Sequence, residues 1–202
     1  AMPPFRAALV AMPFASARHP SLQLGLLQAV ARRRGFEVDT FPLNLELARA
    51  IGSDTYERLC RYRGRLLGEW LFSLDAFGDA APDQARRFLD EFGGDLVARL
   101  ECAELDADGL ARLRREVLPR YLDGLLEGVP WGDYAVVGFT TTFQQTVPSV
   151  ALARRLKARH PAIVTVFGGA GCEPDMGLEL VRIADAIDYA VVGEGDEAFP
   201  EL

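Results

Sequence analysis

The sequence predicts an α/β protein with a parallel sheet of about five strands, interrupted by a large helical insertion. Three observations carry that prediction. Residues 133–171 read DYAVVGFTTTFQQTVPSVALARRLKARHPAIVTVFGGAG. Two apolar runs there, 134–139 and 163–167, flank a stretch of helical periodicity at 145–159, and a strand–helix–strand unit is naturally parallel. Two more apolar runs, 7–12 and 187–192, are short enough for strands and apolar enough to be buried on both faces. Finally, residues 43–128 hold no convincing strand, although a crossover between parallel strands needs only about a dozen residues.

Each element has its own local cause. AALVAM at 7–12 is the first strand, and Pro13 ends it. Ser21 is placed to cap a helix carrying Leu22, Leu24, Leu26, Leu27 and Val30, which Gly35 stops. FEVDTF at 36–41 alternates as an outer strand would. The insertion reads as helices at 45–51, 54–72, 82–100 and 108–126. Asp54 and Asp83 lie near helix starts, where acids are favoured, and Gly52, Gly78 and Gly93-Gly94 punctuate the pattern. After the third strand, Val147, Val150, Ala151, Ala153, Leu156 and Ala158 form an apolar stripe that ends at His160-Pro161. A helix at 174–183, a fifth strand at 187–192 and a helix from 196 to 202 complete the chain. The long crossover into the third strand predicts the flavodoxin-like (Rossmann-like) order 2-1-3-4-5. The α/β domain is then residues 1–42 and 129–202, with the all-helical insertion at 43–128 between strands 2 and 3.

Composition narrows the function classes. The chain of 202 residues is half hydrophobic and a quarter charged, an ordinary globular balance. A net charge of −7 argues against a general nucleic-acid binder. Cys60, Cys102 and Cys172 form no CxxC pair, so neither a zinc site nor a disulfide framework is indicated, and a reducing, cytoplasmic setting is expected. No run is long enough to span a membrane, and no membrane association is expected. Ala1 before Met2 reads as an expression scar, and a final helix cut short at Leu202 reads as a fragment of a longer protein.

Ligands of open α/β sheets bind at the carboxyl ends of the strands. Those ends carry Pro13-Phe14, then Thr140, Thr141, Thr142 and Phe143 with Gln144 behind them, then Gly168, Gly169 and Ala170, then Gly193, Glu194 and Gly195. Glycine admits close backbone approach and threonine offers a hydroxyl, although each cluster alone is also what a tight βα turn requires. The usual phosphate fingerprints are missing: the loop at 13–20 has no glycine, and no GxxxxGK[ST] occurs. Thr140 stands where a phosphoacceptor domain needs an Asp. With only His19 and His160, and no paired nucleophile, no hydrolytic constellation can be assembled. Glu194, between two glycines, reads as a helix cap or a backbone acceptor rather than a catalyst.

The three strand ends DYAVVGFT, VFGG and IDYAVVGEGDEAFPEL resemble the N-terminal cobalamin-binding domain of cobalamin-dependent radical S-adenosylmethionine enzymes. PSLQLGLLQAVARRRGFEV, LNLELARAIG, GEWLF and FTTTFQQTVPSVALARRLK are similar to one subgroup, the C-methyltransferases that mature ribosomally synthesised peptides. The resemblance covers nearly the whole chain. It implies cobalamin on the carboxyl edge of the sheet, with its nucleotide tail in a trench lined by Gly168, Gly169 and Ala170. It places Thr140 at the serine of the fold's SxL motif, with Thr142 at the leucine, a partial match. Pro13, Phe14, Phe143, Gln144, Gln145, Gly193, Glu194 and Gly195 are the further implied contacts. The DxHxxG motif is absent, since His19 sits in MPFASARHPSL, and no protein histidine is expected on cobalt. CxxxCxxC is also absent, so the [4Fe-4S] cluster and S-adenosylmethionine would belong to a C-terminal radical domain. By itself the fragment is expected to carry the methyl carrier and catalyse nothing, while the intact enzyme would methylate carbon on a peptide substrate.

Two competing expectations remain. One is a flavodoxin-like regulatory or nucleotide-binding module without corrinoid. The other makes the insertion a docking surface, although Trp70, Phe72 and Phe77 are also what core packing produces.

Overall fold

The computed structural model describes residues 6–198. The scar expected at position 1 and the continuation of the last helix to 202 lie outside the described residues. Five parallel strands form one sheet in the order β2-β1-β3-β4-β5. They are β1 (Arg6–Ala11), β2 (Glu37–Pro42), β3 (Val136–Thr140), β4 (Val164–Gly168) and β5 (Tyr189–Ala190).

Side chains alternate across a sheet, which splits this one into two unequal faces. Ala8, Val10, Val137, Phe139 and Phe167 point into the main core, where the Phe139 and Phe167 rings lie 4.7 Å apart. Ala7, Leu9 and Ala11 point the other way and meet Leu24 and Ala31 of α1 (Leu22–Arg33). The Ser21 hydroxyl accepts the Leu24 N–H at 3.3 Å to start α1, and Gly35, at φ +88°, turns the chain after it. The crossover helix α8 (Thr146–Arg159) lies on the main-core side, with Val150, Ala151, Leu152 and Leu156 buried.

The insertion comprises α2 (Asn44–Ile51), α3 (Ser53–Arg61), α4 (Leu67–Phe77), α5 (Arg87–Leu100), α6 (Ala107–Arg112) and α7 (Leu118–Gly128). Its core is continuous with that of the sheet. α4 is apolar on nearly every side, with Leu67, Trp70, Leu71 and Phe72 buried, and it packs against α8. Trp70 and Phe72 are thus core residues, and Phe77 packs against the same cluster.

The structure departs from the sequence expectations in four places, each with a physical cause. The helix expected at 54–72 is two helices, α3 and α4, because the chain breaks at 62–66. Arg65 and Leu66 adopt φ of 56° and 53° there. The break is stabilised from far away in sequence: Gln144 accepts the Gly68 N–H at 2.7 Å and donates to the Tyr62 carbonyl at 2.8 Å. The helix expected from 82 begins only at Arg87. Asp83 gathers the N–H groups of Ala85, Arg87 and Phe88 and the Trp70 indole N–H, so its segment becomes a cap. The helix expected at 108–126 is interrupted by a π-helical turn, Leu113–Val117, which carries the buried Arg114. Arg114 donates to the carbonyls of Trp70, Asp83 and Ala85 and to the Ser73 hydroxyl, and stacks 4.2 Å over Trp70. Burial lowers its pKa to about 10. The fifth strand, expected at 187–192, is regular only over Tyr189–Ala190, with single backbone bonds on either side from the Asp188 N–H to the Thr165 carbonyl at 3.1 Å and from the Val191 N–H to the Phe167 carbonyl at 2.7 Å. The Asp188 carboxylate takes the Thr165 N–H at 2.7 Å, so a side chain occupies a donor that the ladder would otherwise use.

β4 leads through a 3-10 turn, Ala170–Cys172, into α9 (Pro174–Ile183), and β5 leads into α10 (Gly195–Ala198). Among the described residues no helix is long and apolar enough to cross a membrane.

Candidate functional site

The site is built from strand register. Leu9, Gly138 and Val166 are direct partners across β1, β3 and β4, and one pleat further along Ala11, Thr140 and Gly168 are partners. Both rows face away from the main core. The intervening row, Val10–Phe139–Phe167, faces into it. Residues Leu9, Gly138, Val166, Thr140 and Gly168 line a trench of about 370 Å³. That volume is within the range of small-molecule sites. Leu26 and Leu27 of α1 also line it, together with Gly193, Glu194, Gly195 and Asp196, and Gly195 lies against Leu27. Leu26 is 50 % exposed there, unusual for a leucine on a sheet-covering helix. A second cavity of about 580 Å³ opens over the ends of β1 and β2, and shares Gln23, Thr140 and Thr142 with the trench.

The three threonines differ. The Thr140 hydroxyl donates to the Val10 carbonyl at 3.3 Å and stands at the mouth of the trench. Thr142 donates to Gln145 Oε1 at 2.5 Å, and Gln145 Nε2 donates to the Met12 carbonyl at 2.7 Å, which ties the ends of β1 and β3 together. Thr141 is 0 % exposed; it donates to the Gly168 carbonyl at 3.0 Å and sits 3.6 Å from Cys172 Sγ. A hydroxyl has one proton and two acceptor lone pairs. Since all three protons are spent internally, Thr140 and Thr142 face a ligand as acceptors.

The glycines also divide. A Cβ at Gly169, which has φ +99°, would stand 2.6 Å from the Thr141 carbonyl oxygen, and one at Gly171 would stand 2.6 Å from Thr141 Oγ1. Both are required by the turn that seats Thr141. A Cβ at Gly168 would meet nothing closer than Val191 at 3.5 Å, and Gly193 has open space. The openness at Gly168 therefore faces the cavity, whereas Gly193, at φ +84°, is favoured by its backbone conformation as well.

The expected contacts Pro13, Phe14 and Gln144 are buried on the far side of the edge. Phe14 stacks on Tyr56 at 5.9 Å and meets Phe72 edge-on at 6.0 Å. Gln144 is 2 % exposed, with its carboxamide committed to Gly68 and Tyr62. Phe143 is 46 % exposed at the edge. His160 follows the last turn of α8, its N–H bonded to the Leu156 carbonyl at 2.7 Å, and has a structural place. His19 is exposed on the rim of the second cavity.

The first loop is moored by the insertion. Glu57 accepts from the Ser16 hydroxyl and from the Ala17 N–H at 2.7 Å. Tyr56 and Asn44 donate to the Ala15 carbonyl at 2.6 and 3.2 Å. At the start of α8, Glu69 accepts the Val147 N–H at 2.8 Å, and burial pushes its pKa up.

Sequence reasoning missed Leu9, Gly138, Val166, Gln23, Leu26, Leu27 and Glu173 as liners. Gly138 had a signal: an isolated glycine inside a strand run marks close approach by something. Among the described residues the charged liners of the trench are Glu173, Glu194 and Asp196, with no Lys or Arg. The arrangement suits a largely uncharged ligand that donates hydrogen bonds at the mouth and inserts an apolar part between Leu27, Gly138 and Val166. It suits a polyphosphate poorly. Among the described residues no group of three or more His, Cys, Asp or Glu is placed to hold a metal ion. Comparison with protein-family models, with curated proteins and with solved structures finds no match to this chain.

Proposed function

We propose that this chain binds cobalamin as the methyl carrier of a radical S-adenosylmethionine C-methyltransferase acting on a ribosomally synthesised peptide. The observation that carries the reading is the trench: a floor lined by Leu9, Gly138 and Val166, the hydroxyl acceptors of Thr140 and Thr142, and an acidic rim. A corrinoid fits that donor set, because its periphery carries amide N–H groups and its tail, which bears a single phosphodiester charge, ends in a flat apolar base. Gly138, Val166, Leu9 and Leu27 would hold the base. Thr140, Thr142 and Glu194 would accept from amides, and Phe143 would lie against the ring. When bound, the corrinoid supplies a transferable methyl group. The [4Fe-4S] cluster, S-adenosylmethionine and the radical chemistry would come from a separate C-terminal domain.

The competing reading is a nucleotide-binding regulatory module. It would bring several negative charges against Glu173, Glu194 and Asp196, with no cation among the trench liners to offset them. Equilibrium dialysis of the chain against hydroxocobalamin and, separately, against ATP discriminates the two. Retention of corrinoid without ATP supports the proposal, and the reverse result replaces it with the nucleotide module.

A further inference from the structure

A strip of arginines crosses the insertion and ends at the carboxyl edge of the sheet. A cleft of about 830 Å³ is bordered by Arg58, Arg61, Arg63, Arg65 and Arg99, with Asp95 and Glu101 as its only carboxylates. Arg61 and Arg63 also border the neighbouring cavity, which holds Arg18 and His19, has Glu57 as a lining carboxylate already bonded to Ser16 and Ala17, and reaches Thr142 and Phe143. The two clefts thus share a cationic divide and form one path from the insertion to the candidate site.

Several of these charges have internal partners. Arg99 pairs with Asp95 at 2.7 Å, Arg18 with Asp54 at 3.3 Å, and Arg58 donates to the Leu100 carbonyl at 2.9 Å. Arg65 lies 4.5 Å over the Phe92 ring. The side chains of Arg61 and Arg63, both exposed, make no ion pair or hydrogen bond among the described residues. They flank Tyr62, whose carbonyl Gln144 holds at 2.8 Å. The break between α3 and α4 therefore presents unpaired arginines from a loop pinned to the residue after Phe143.

From this placement we infer that the strip docks an extended acidic segment of the peptide substrate and directs the rest of that peptide to the Thr142–Phe143 edge. The occupant's identity as a peptide rests on the function proposed above, whereas its acidity rests on the arginines alone. A chain of net charge −7 repels polyanions at long range, so an acidic ligand needs a local cationic track. The arginines are strung along a path rather than converging on one point, which suits carboxylates spaced along an extended backbone better than a single phosphate. Single-stranded nucleic acid would want exposed aromatic faces for its bases. Along this path Phe92 is covered by Arg65, which leaves Phe143.

The test is fluorescence anisotropy of a labelled peptide of alternating Glu and Gly, titrated with the whole chain at low salt. R61E/R63E is compared with R33E/R34E, which makes the same charge change on exposed residues at the end of α1. The expected result is binding that weakens at least about tenfold in R61E/R63E, stays unchanged in R33E/R34E, and fades as salt screens it. Equal weakening in both variants, no binding by the unaltered chain, or equally tight binding of a single-stranded oligonucleotide would overturn the inference. Corrinoid retention measured on the same proteins separates the two claims. Retained corrinoid without peptide binding removes the strip alone, and peptide binding without corrinoid removes the cofactor reading alone.

Discussion

The Gln144 carboxamide oxygen accepts the Gly68 backbone N–H at 2.7 Å, joining the residue after the β3 loop to the first turn of α4. The same side chain donates to the Tyr62 carbonyl, so one residue bridges both ends of the α3–α4 break and fastens it to the sheet edge. Three consequences share this contact: the insertion's orientation, the presentation of Arg61 and Arg63, and the position of Phe143.

Replacing Gln144 with Ala leaves a buried donor and a buried acceptor without partners, a loss of about 2–4 kcal/mol in total. We predict a lower thermal midpoint and faster proteolysis within 61–67. Gln144→Glu is expected to be nearly as damaging, because a carboxylate accepts from Gly68 but offers Tyr62 no proton. A midpoint unchanged in both variants would show that the break is held by packing alone.

Asp188 supplies a pH-dependent part of stability. Burial alone would raise its pKa. The Lys157 ammonium at 2.5 Å, together with the Thr165 N–H and hydroxyl, outweighs burial and holds the carboxyl below its ordinary 3.8. A carboxyl depressed in the folded state adds stability that is fully present above the unfolded pKa and is lost as pH falls through the folded one. Asp188→Asn is therefore expected to lower the urea midpoint at pH about 7 and to differ little from the unaltered protein at pH about 2. An equal deficit at both pH values would mean that Asp188 acts through geometry and not through charge.

The three cysteines are expected to react at different rates. Burial pushes the Cys60 thiol up to about 12 and also raises that of Cys172, which is fully enclosed. Thiolate is the reactive form. A disulfide reagent at pH about 8 should modify Cys102 first, Cys60 more slowly, and Cys172 only when the chain unfolds. Rapid modification of Cys60 would reveal that the first loop opens away from Tyr56 and Asn44.

The architecture was largely legible from the sequence, because hydrophobic period reports burial and burial on two faces marks a parallel strand. The 7–12 and 134–139 runs, the stripe of α8 and the length of the crossover were enough to predict the order of all five strands. What stayed hidden was decided by contacts between distant residues. Gln144 breaks a helix 76 residues away, Asp83 delays α5 by capturing its N–H groups, and the Asp188 side chain takes the Thr165 N–H where β5 begins.

The candidate site divides in the same way. Thr140, Gly168 and Gly193 to Gly195 were legible because they end strands. Thr141 borders the trench with its hydroxyl spent on the Gly168 carbonyl, whereas Phe14 and Gln144 sit in the same sequence clusters but are turned into the core, and no local pattern separates them from their neighbours. The trench floor was missed because its residues lie mid-strand, where register and not motif brings Leu9, Gly138 and Val166 together.

The most direct test of the account is the visible spectrum of the purified chain after incubation with hydroxocobalamin and desalting, run beside Gly138→Leu. The substitution adds a branched side chain at a strand position that lines the trench, and a thermal midpoint measured on both proteins separates loss of the site from loss of the fold. The account predicts near-stoichiometric corrinoid on the unaltered chain and loss of the colour in Gly138→Leu. Equal retention by both proteins would contradict the placement of the tail between Leu27, Gly138 and Val166, and no retention by either would contradict the cofactor assignment for this chain.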